Sequence, residues 1–369
     1  MKLLINASNL KTGGALQVTD SICRDLNRFP QHHFVVVISE ALTSLNNIKG
    51  ESIEVFNCSS SNNYKVLLTG RDQFLDQLVL DKRIDVVFSV FGPITWTPKV
   101  PHLCGFARPH LVLGDSPYFK RMSFLESLKN KVLNGILSFY FKRGVTAFFT
   151  ENSYISEKWQ QASEKTKVYT VTNYYNQVYD QPESWKSFEL PVFDGFTFLC
   201  VTANYPHKNL EIAISISKIF KSKYPDFKFR FVFTIREDEY PVLPSELRGY
   251  FLFLGKVEIQ QCPSLYQQAD IMFQPTLLEC FTAIYPEAMK MEVPIVTTDL
   301  DFARGLCGDA AAYYSPLDAE QAASLLYQVS TDQKLRANLV ENGKKQLLKY
   351  DTYQQRTEKL INIATSLVQ

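Results

Sequence analysis

The stretch IMFQPTLLECFTAIYPEAMKMEVPIVTT, residues 271–298, decides the fold. An apolar run, Ile271–Gln274, stops at Pro275. A short loop carries Glu279, a helix is expected to start near Thr282 with Glu287 in its second turn, and a second apolar run, Pro294–Thr298, follows. Two buried strands joined by one helix form the unit of a parallel α/β sheet. The loop and the helix N-terminus then lie at the carboxyl edge of that sheet. Free backbone N–H groups and the helix dipole favour an anion such as a diphosphate there. Glu279 can accept hydrogen bonds from sugar hydroxyls and Glu287 from a ribose diol.

Outward from this stretch the same rhythm appears twice. Lys2–Ala7, Phe34–Ser39, Ile53–Asn57, Val86–Val90 and Val145–Thr150 are expected strands, with Gly14–Asn27 at helical spacing between the first two. The rhythm restarts with Phe196–Thr202, Phe227–Thr234, Phe251–Val257, Ile271–Gln274 and Pro294–Thr298. Leu210–Phe220, Cys262–Gln268 and Ile284–Met291 are the helices between them. The polar, proline-punctuated segment Asn176–Asp194 is the expected linker. The predicted class is α/β, with two Rossmann-like doubly wound domains, 1–180 and 181–350, facing a central cleft. A last helical segment, 351–369, is expected to cross back to the first domain.

The bulk properties fit. The 369 residues exceed one hydrophobic core, and 46% hydrophobic with 21% charged residues is an ordinary globular composition. A net charge of +1 gives no reason to invoke nucleic acid. Seven scattered cysteines with no C-x-x-C pair argue against a disulfide framework or zinc site and for a reducing cytosol. No signal peptide and no apolar run of about 18 residues is legible, so no spanning helix is expected.

Residues 275–289, PTLLECFTAIYPEAM, resemble the donor-binding core of retaining GT-B glycosyltransferases of family 4, also called group 1. Their pattern is P-S-x-x-E-G-F-G-x-x-x-x-E-A-M, the E-x7-E motif. Gly255 and Val257 before it, Ala269 and Asp270 at the strand entry, and Gly308 and Asp309 after it also match. The resemblance implies a nucleotide-sugar donor, a UDP- or GDP-sugar, and no cofactor or metal. It implies donor contacts from Glu279, Phe281, Thr282, Ala283, Glu287, Gly255 and Val257. The family's two glycines after the first glutamate are Cys280 and Thr282 here, and the glycine before the next strand is Glu292. TANYPHKN, residues 202–209, resembles the family's cationic donor loop, with Lys208 matching and Asn204 near the place of a missing arginine.

In the first half, Lys11, Gly13 and Gly14 follow a strand and open a helix. They resemble the family's glycine loop facing the donor phosphates; a tight strand-to-helix turn explains them equally well. They do not spell the nicotinamide dinucleotide fingerprint. VPHLCGFARPH, residues 100–110, resembles the strand ending in a histidine beside the reacting sugar. His110 is the candidate there, with Glu279 and Lys208 the other catalytic candidates, His102 the reserve, and Arg108 facing acceptor or donor phosphate. Glu151, Asn152 and Ser153 resemble the family's cleft-edge step or form a plain helix N-cap. Asp299 and Asp301 spell the metal motif of another glycosyltransferase fold, but in this family the position is an ordinary loop.

Residues 118–144 carry Lys120, Arg121, Lys129, Lys131, Lys142 and Arg143 against Glu126, interleaved with aromatics. Such a segment lies on an anionic bilayer, or it is a solvated helix whose apolar side packs on its own domain. The resemblance implies a retaining, metal-independent hexosyltransferase of surface polysaccharide, O-antigen or capsule, synthesis. Its acceptor would be an oligosaccharide or a polyprenyl-diphosphate-linked saccharide, at the cytoplasmic face of the membrane. The competing readings are a non-catalytic nucleotide-sugar-binding subunit and an epimerase on the same fold.

Overall fold

The computed structural model describes residues 1–48, 50–58 and 64–368. The chain divides into two compact units, one of 1–114, 122–176 and 351–369, the other of 115–121 and 177–350.

The first unit is a seven-stranded parallel sheet in the order β3-β2-β1-β4-β5-β6-β7. Its strands are β1 (Lys2–Ala7), β2 (His33–Ile38), β3 (Ile53–Asn57), β4 (Val86–Ser89), β5 (His102–Gly105), β6 (Ala147–Thr150) and β7 (Lys167–Thr170). The second unit is a six-stranded parallel sheet in the order β10-β9-β8-β11-β12-β13. Its strands are β8 (Phe196–Cys200), β9 (Phe229–Phe233), β10 (Phe251–Phe253), β11 (Ile271–Gln274), β12 (Ile295–Thr298) and β13 (Ala311–Tyr314). Both sheets run outward from their first strand and then reverse, the doubly wound topology. Apolar periodicity leaves three strands unread, of which β5 is implied only by the resemblance of residues 100–110. β5 is four residues long and starts with a histidine, β7 is an edge strand with exposed ends, and β13 begins with two alanines, better helix than strand formers.

Central strands are buried on both faces, so Val, Ile and Phe fill them without alternation. Leu3, Ile5, Phe34, Val36, Phe88 and Phe149 anchor one core, and Phe198, Phe231, Phe233, Phe273 and Val296 the other. The terminal helix, Tyr353–Ser366, buries Leu360, Ile361 and Ala364 in the first core. The segment after Asn176 packs on the second unit: the backbone N–H of Lys186 donates to the carbonyl of Gln260 at 2.9 Å, and that of Leu190 to Gln268 Oε1 at 2.9 Å.

Candidate functional site

Reversal of a doubly wound sheet separates the loops beyond two neighbouring strands and leaves a crevice there. In the second unit the reversal falls between β8 and β11, which pair directly, Ile271 opposite Phe198. The loop after β8 turns at Pro206–Lys208 and leaves through Asn209, whose φ of 52° is left-handed, a conformation asparagine tolerates. The loop after β11 runs from Pro275 to Ala283 and carries Glu279. The two loops are stitched together: the N–H of Leu277 donates to the carbonyl of His207 at 2.8 Å. Lys208 Nζ donates to Glu279 Oε1, and Thr276 Oγ1 donates to the same oxygen at 3.0 Å. Both charged side chains are 11% exposed. A cation and an anion so largely withdrawn from water are stable only together.

Seven residues from the first half of the sequence, Asp115–Arg121, belong to this unit and brace the same loops. Ser116 Oγ donates to the carbonyl of Leu277 at 2.6 Å. Arg121 donates to Asn209 Oδ1 at 2.7 Å and forms an ion pair with Glu211. Sequence reading missed Ser116, Thr276 and this role of Arg121. Nothing local to 115–121 signals that it packs so far along the chain.

Glu287 stands apart from that pair. Its helix, Ile284–Lys290, starts where the apolar spacing places it and two residues after Thr282, so Glu287 falls in the first turn and not the second. Tyr266 Oη donates to Glu287 Oε2 at 3.2 Å, and the Tyr179 phenol binds the same carboxylate. Burial pushes this carboxyl up to about 7, against the opposing effect of the two phenols. A carboxylate offers about four lone-pair sites, so two phenols leave room for a diol. Neither tyrosine carries a motif signal, because both lie outside the E-x7-E segment.

The other predicted donor residues of this unit divide. Thr282 is buried beside the loop, and Phe281 and Ala283 are half-buried. Gly255 has a φ of 70° and lines an open pocket with Arg236, Arg248 and Lys256, while Val257 is half-buried. Asn204 is exposed, and its amide donates to the carbonyl of Glu239. Glu292 has a left-handed φ of 59°, a conformation that favours glycine, with Lys344 at 2.9 Å from its carboxylate. Asp299 is engaged by Arg304, and Asp301 opens a helix. Among the described residues no group of three or more His, Cys, Asp or Glu side chains could hold a metal.

In the first unit the reversal lies between β1 and β4, and Gly13 and Gly14 follow β1. Gly13 caps the helix Gly14–Asp25 with a φ of 79°, and a Cβ on either glycine would meet nothing within 4 Å. Arg108 and His110 are half-buried beyond the carboxyl end of β5. His102 is a correction. It is fully buried in β5, with Nε2 2.8 Å from Ser89 Oγ and Nδ1 3.2 Å from the carbonyl of Gly144. Burial pushes it down to about 4, so it is a neutral core histidine with both nitrogens engaged and no acceptor-binding group to offer. Asn152 is the N-cap of the helix Ser153–Ser163, accepting from the N–H of Tyr154, while Glu151 is buried.

Residues 183–346 match the family "Glycosyl transferases group 1". The O-antigen chain mannosyltransferase RfbU of Salmonella typhimurium is 22% identical over 219 residues, 58% of either chain. A glycosyltransferase of Rickettsia africae superposes with a TM-score of 0.71 over 100% of this chain and 98% of its own, at 13% identity. Anabaena Alr3699/HepE, solved in complex with UDP-glucose, gives 0.67 over 99% of both chains at 15% identity. At such identities the structural likeness is one of fold, and that fold is GT-B.

Proposed function

We propose that this chain, whose residues 183–346 form a glycosyl transferases group 1 domain, moves a sugar from a nucleotide-sugar donor to a saccharide or lipid-linked saccharide in surface-polysaccharide synthesis. The observation that carries the proposal is the Lys208–Glu279 pair at the reversal point of the second sheet, within an E-x7-E frame. Without donor, each charge neutralises the other. A bound diphosphate would replace Glu279 as the counter-ion of Lys208 and release Glu279 to accept from the sugar hydroxyls. Glu287 would take the ribose diol. The relatives support a UDP- or GDP-sugar: one was solved with UDP-glucose, and another is a mannosyltransferase.

In this reading Lys208 and the Phe281–Ala283 amides stabilise the leaving diphosphate. The acceptor hydroxyl attacks the anomeric carbon from the face the diphosphate leaves, and the leaving phosphate takes its proton. The carbon–oxygen bond to phosphate breaks, the new glycosidic bond forms, and configuration is retained. His110 and Arg108 would hold the transferred sugar and an acceptor phosphate. Reaction on a lipid-linked acceptor places the chain at the cytoplasmic face of the membrane.

A thermal-shift panel of UDP, GDP, ADP and their sugars tests the reading. A ligand at a hundredfold its Kd stabilises the fold by about 2.7 kcal/mol, a shift of several degrees. Lys208→Ala and Glu287→Ala should each weaken the responding nucleotide about tenfold or more; unchanged affinity in both would sink the site. The uncharged Asn204 favours one second reading, a subunit that binds nucleotide without transfer. Nucleotide binding with no product on any acceptor would select it, and conversion of donor alone would select an epimerase.

A further inference from the structure

The helix Phe124–Lys142 is inside out. Leu125, Leu128, Val132, Ile136 and Phe139, at spacings of three and four residues, form one stripe, and they are 44–82% exposed together with their neighbours Phe124 and Leu133. Displaced by two residues, and so on the opposite face, Ser127, Asn130, Asn134 and Ser138 are half-buried and Phe141 is fully buried. The inward contacts combine Phe141, packed on Phe106 and Trp159, with polar ones: Asn134 Nδ2 donates to the carbonyl of His110 at 3.0 Å, and Tyr140 Oη to that of Leu67 at 3.1 Å. The alternative in which the apolar side packs on its own domain holds for Phe141 and fails for the stripe. A surface helix ordinarily turns its apolar stripe to the core, and a contiguous exposed stripe marks an interaction site.

We propose that this face docks on an anionic lipid bilayer. The charge pattern selects that occupant. Lys129 lies on one flank of the stripe, and Lys131 and Lys142 on the other, so cations border the apolar ridge on both sides. The helix carries one acid, Glu126, whose carboxylate accepts from Ser123 N and Oγ at 2.8 Å in the N-terminal capping box. A ridge of Leu, Val, Ile and Phe between lysines lets acyl chains cover the apolar side chains while the ammonium groups reach lipid phosphates. No helix among the described residues is long and apolar enough to cross a membrane, so this contact lies in the interface plane. The inference is independent of the donor-site reading.

The test is co-sedimentation of the full chain with vesicles of phosphatidylcholine alone and of phosphatidylcholine with about 30 mol% phosphatidylglycerol. Wild type should pellet with the anionic vesicles only. Leu128→Ser/Val132→Ser/Ile136→Ser should lose binding with Tm little changed, because half or more of each residue is already exposed. Lys129→Gln/Lys131→Gln/Lys142→Gln should weaken binding by roughly tenfold or more. Equal binding by wild type and the serine variant would overturn the proposal. So would a wild-type dimer in light scattering that the serine variant splits, without vesicle binding by either. Nucleotide binding in solution should be the same in all three proteins, which keeps this result separate from the donor site.

Discussion

Each unit holds a buried carboxylate close to a buried cation at the carboxyl edge of its sheet, and the two arrangements differ in what remains to be satisfied. In the first unit Glu151 follows β6 and feels Arg356 of the terminal helix. The Arg356 guanidinium donates to Asn173 Oδ1 and, at 2.6 Å, to Ser21 Oγ, and neighbouring Thr357 donates to Asp25. These contacts tie the terminal helix to elements distant in sequence and leave Arg356 only 2% exposed. In the second unit Lys208 and Glu279 face chiefly each other, on loops braced by Ser116 and Arg121, and each keeps some exposure. Burial of charge is common to both. A site differs from a staple in holding charges whose partner an incoming ligand can replace.

The largest effects expected separate the two along that line. Removing one partner of a buried pair costs about 3–5 kcal/mol. Arg356→Met should therefore lower Tm by many degrees while the protein that stays folded keeps its donor KM. Lys208→Ala should cut transfer about 10²–10³-fold, the loss typical when one electrostatic stabiliser of a leaving group is removed. Its stability loss should largely disappear in Lys208→Ala/Glu279→Ala, with activity still absent. A folded Arg356→Met protein as impaired in transfer as Lys208→Ala would break the distinction.

Acidity gives a second, smaller separation. Burial pushes both Glu151 and Glu287 up to about 7. A carboxyl that holds its proton more tightly when folded contributes stability that is full below its unfolded value and is lost as pH rises through about 7. Tm should thus fall between pH 6 and 8, and Glu151→Gln and Glu287→Gln should each flatten part of that fall. Nucleotide affinity should move the opposite way. The ionised Glu287 is the better acceptor for a diol, so Kd should drop as pH rises through about 7. That step should persist in Glu151→Gln and vanish in Glu287→Gln; titration calorimetry across the range decides it.

How much of this was legible in the sequence follows from the range of the interactions. The strands with continuous apolar runs were readable, and so was the frame around Glu279 and Glu287, because both are local patterns. The Lys208–Glu279 contact was not legible, since a parallel sheet brings β8 and β11 together with two other strands intervening in sequence. Ser116, Arg121, Tyr179 and Tyr266 were invisible for the same reason. His102 misled because it sits in a stretch resembling an acceptor strand, while its burial depends on Ser89 and Gly144 closing around it. The basic helix showed its amphipathicity plainly; which side faces water depends on what the neighbouring carbonyls demand.

The finest test sets two single hydroxyls against each other. Ser21 accepts from Arg356 in the staple, and Thr276 donates to Glu279 in the site. Ser21→Ala and Thr276→Val each remove one hydrogen bond to a buried charge, worth about 1.5–3 kcal/mol at most. Their Tm losses should be alike. Their kinetic effects should not be. Ser21→Ala leaves the donor KM where it was, because every group it disturbs is spent on protein. Thr276→Val frees Glu279 Oε1 of a competing donor and unfastens the loop from the carbonyl of His207, which Thr276 Oγ1 also reaches at 3.4 Å. The donor KM should then shift several-fold while Tm stays matched to Ser21→Ala. If both variants leave KM unmoved, Thr276 is a staple as well, and the replaceable part of the second pair shrinks to the two charges themselves.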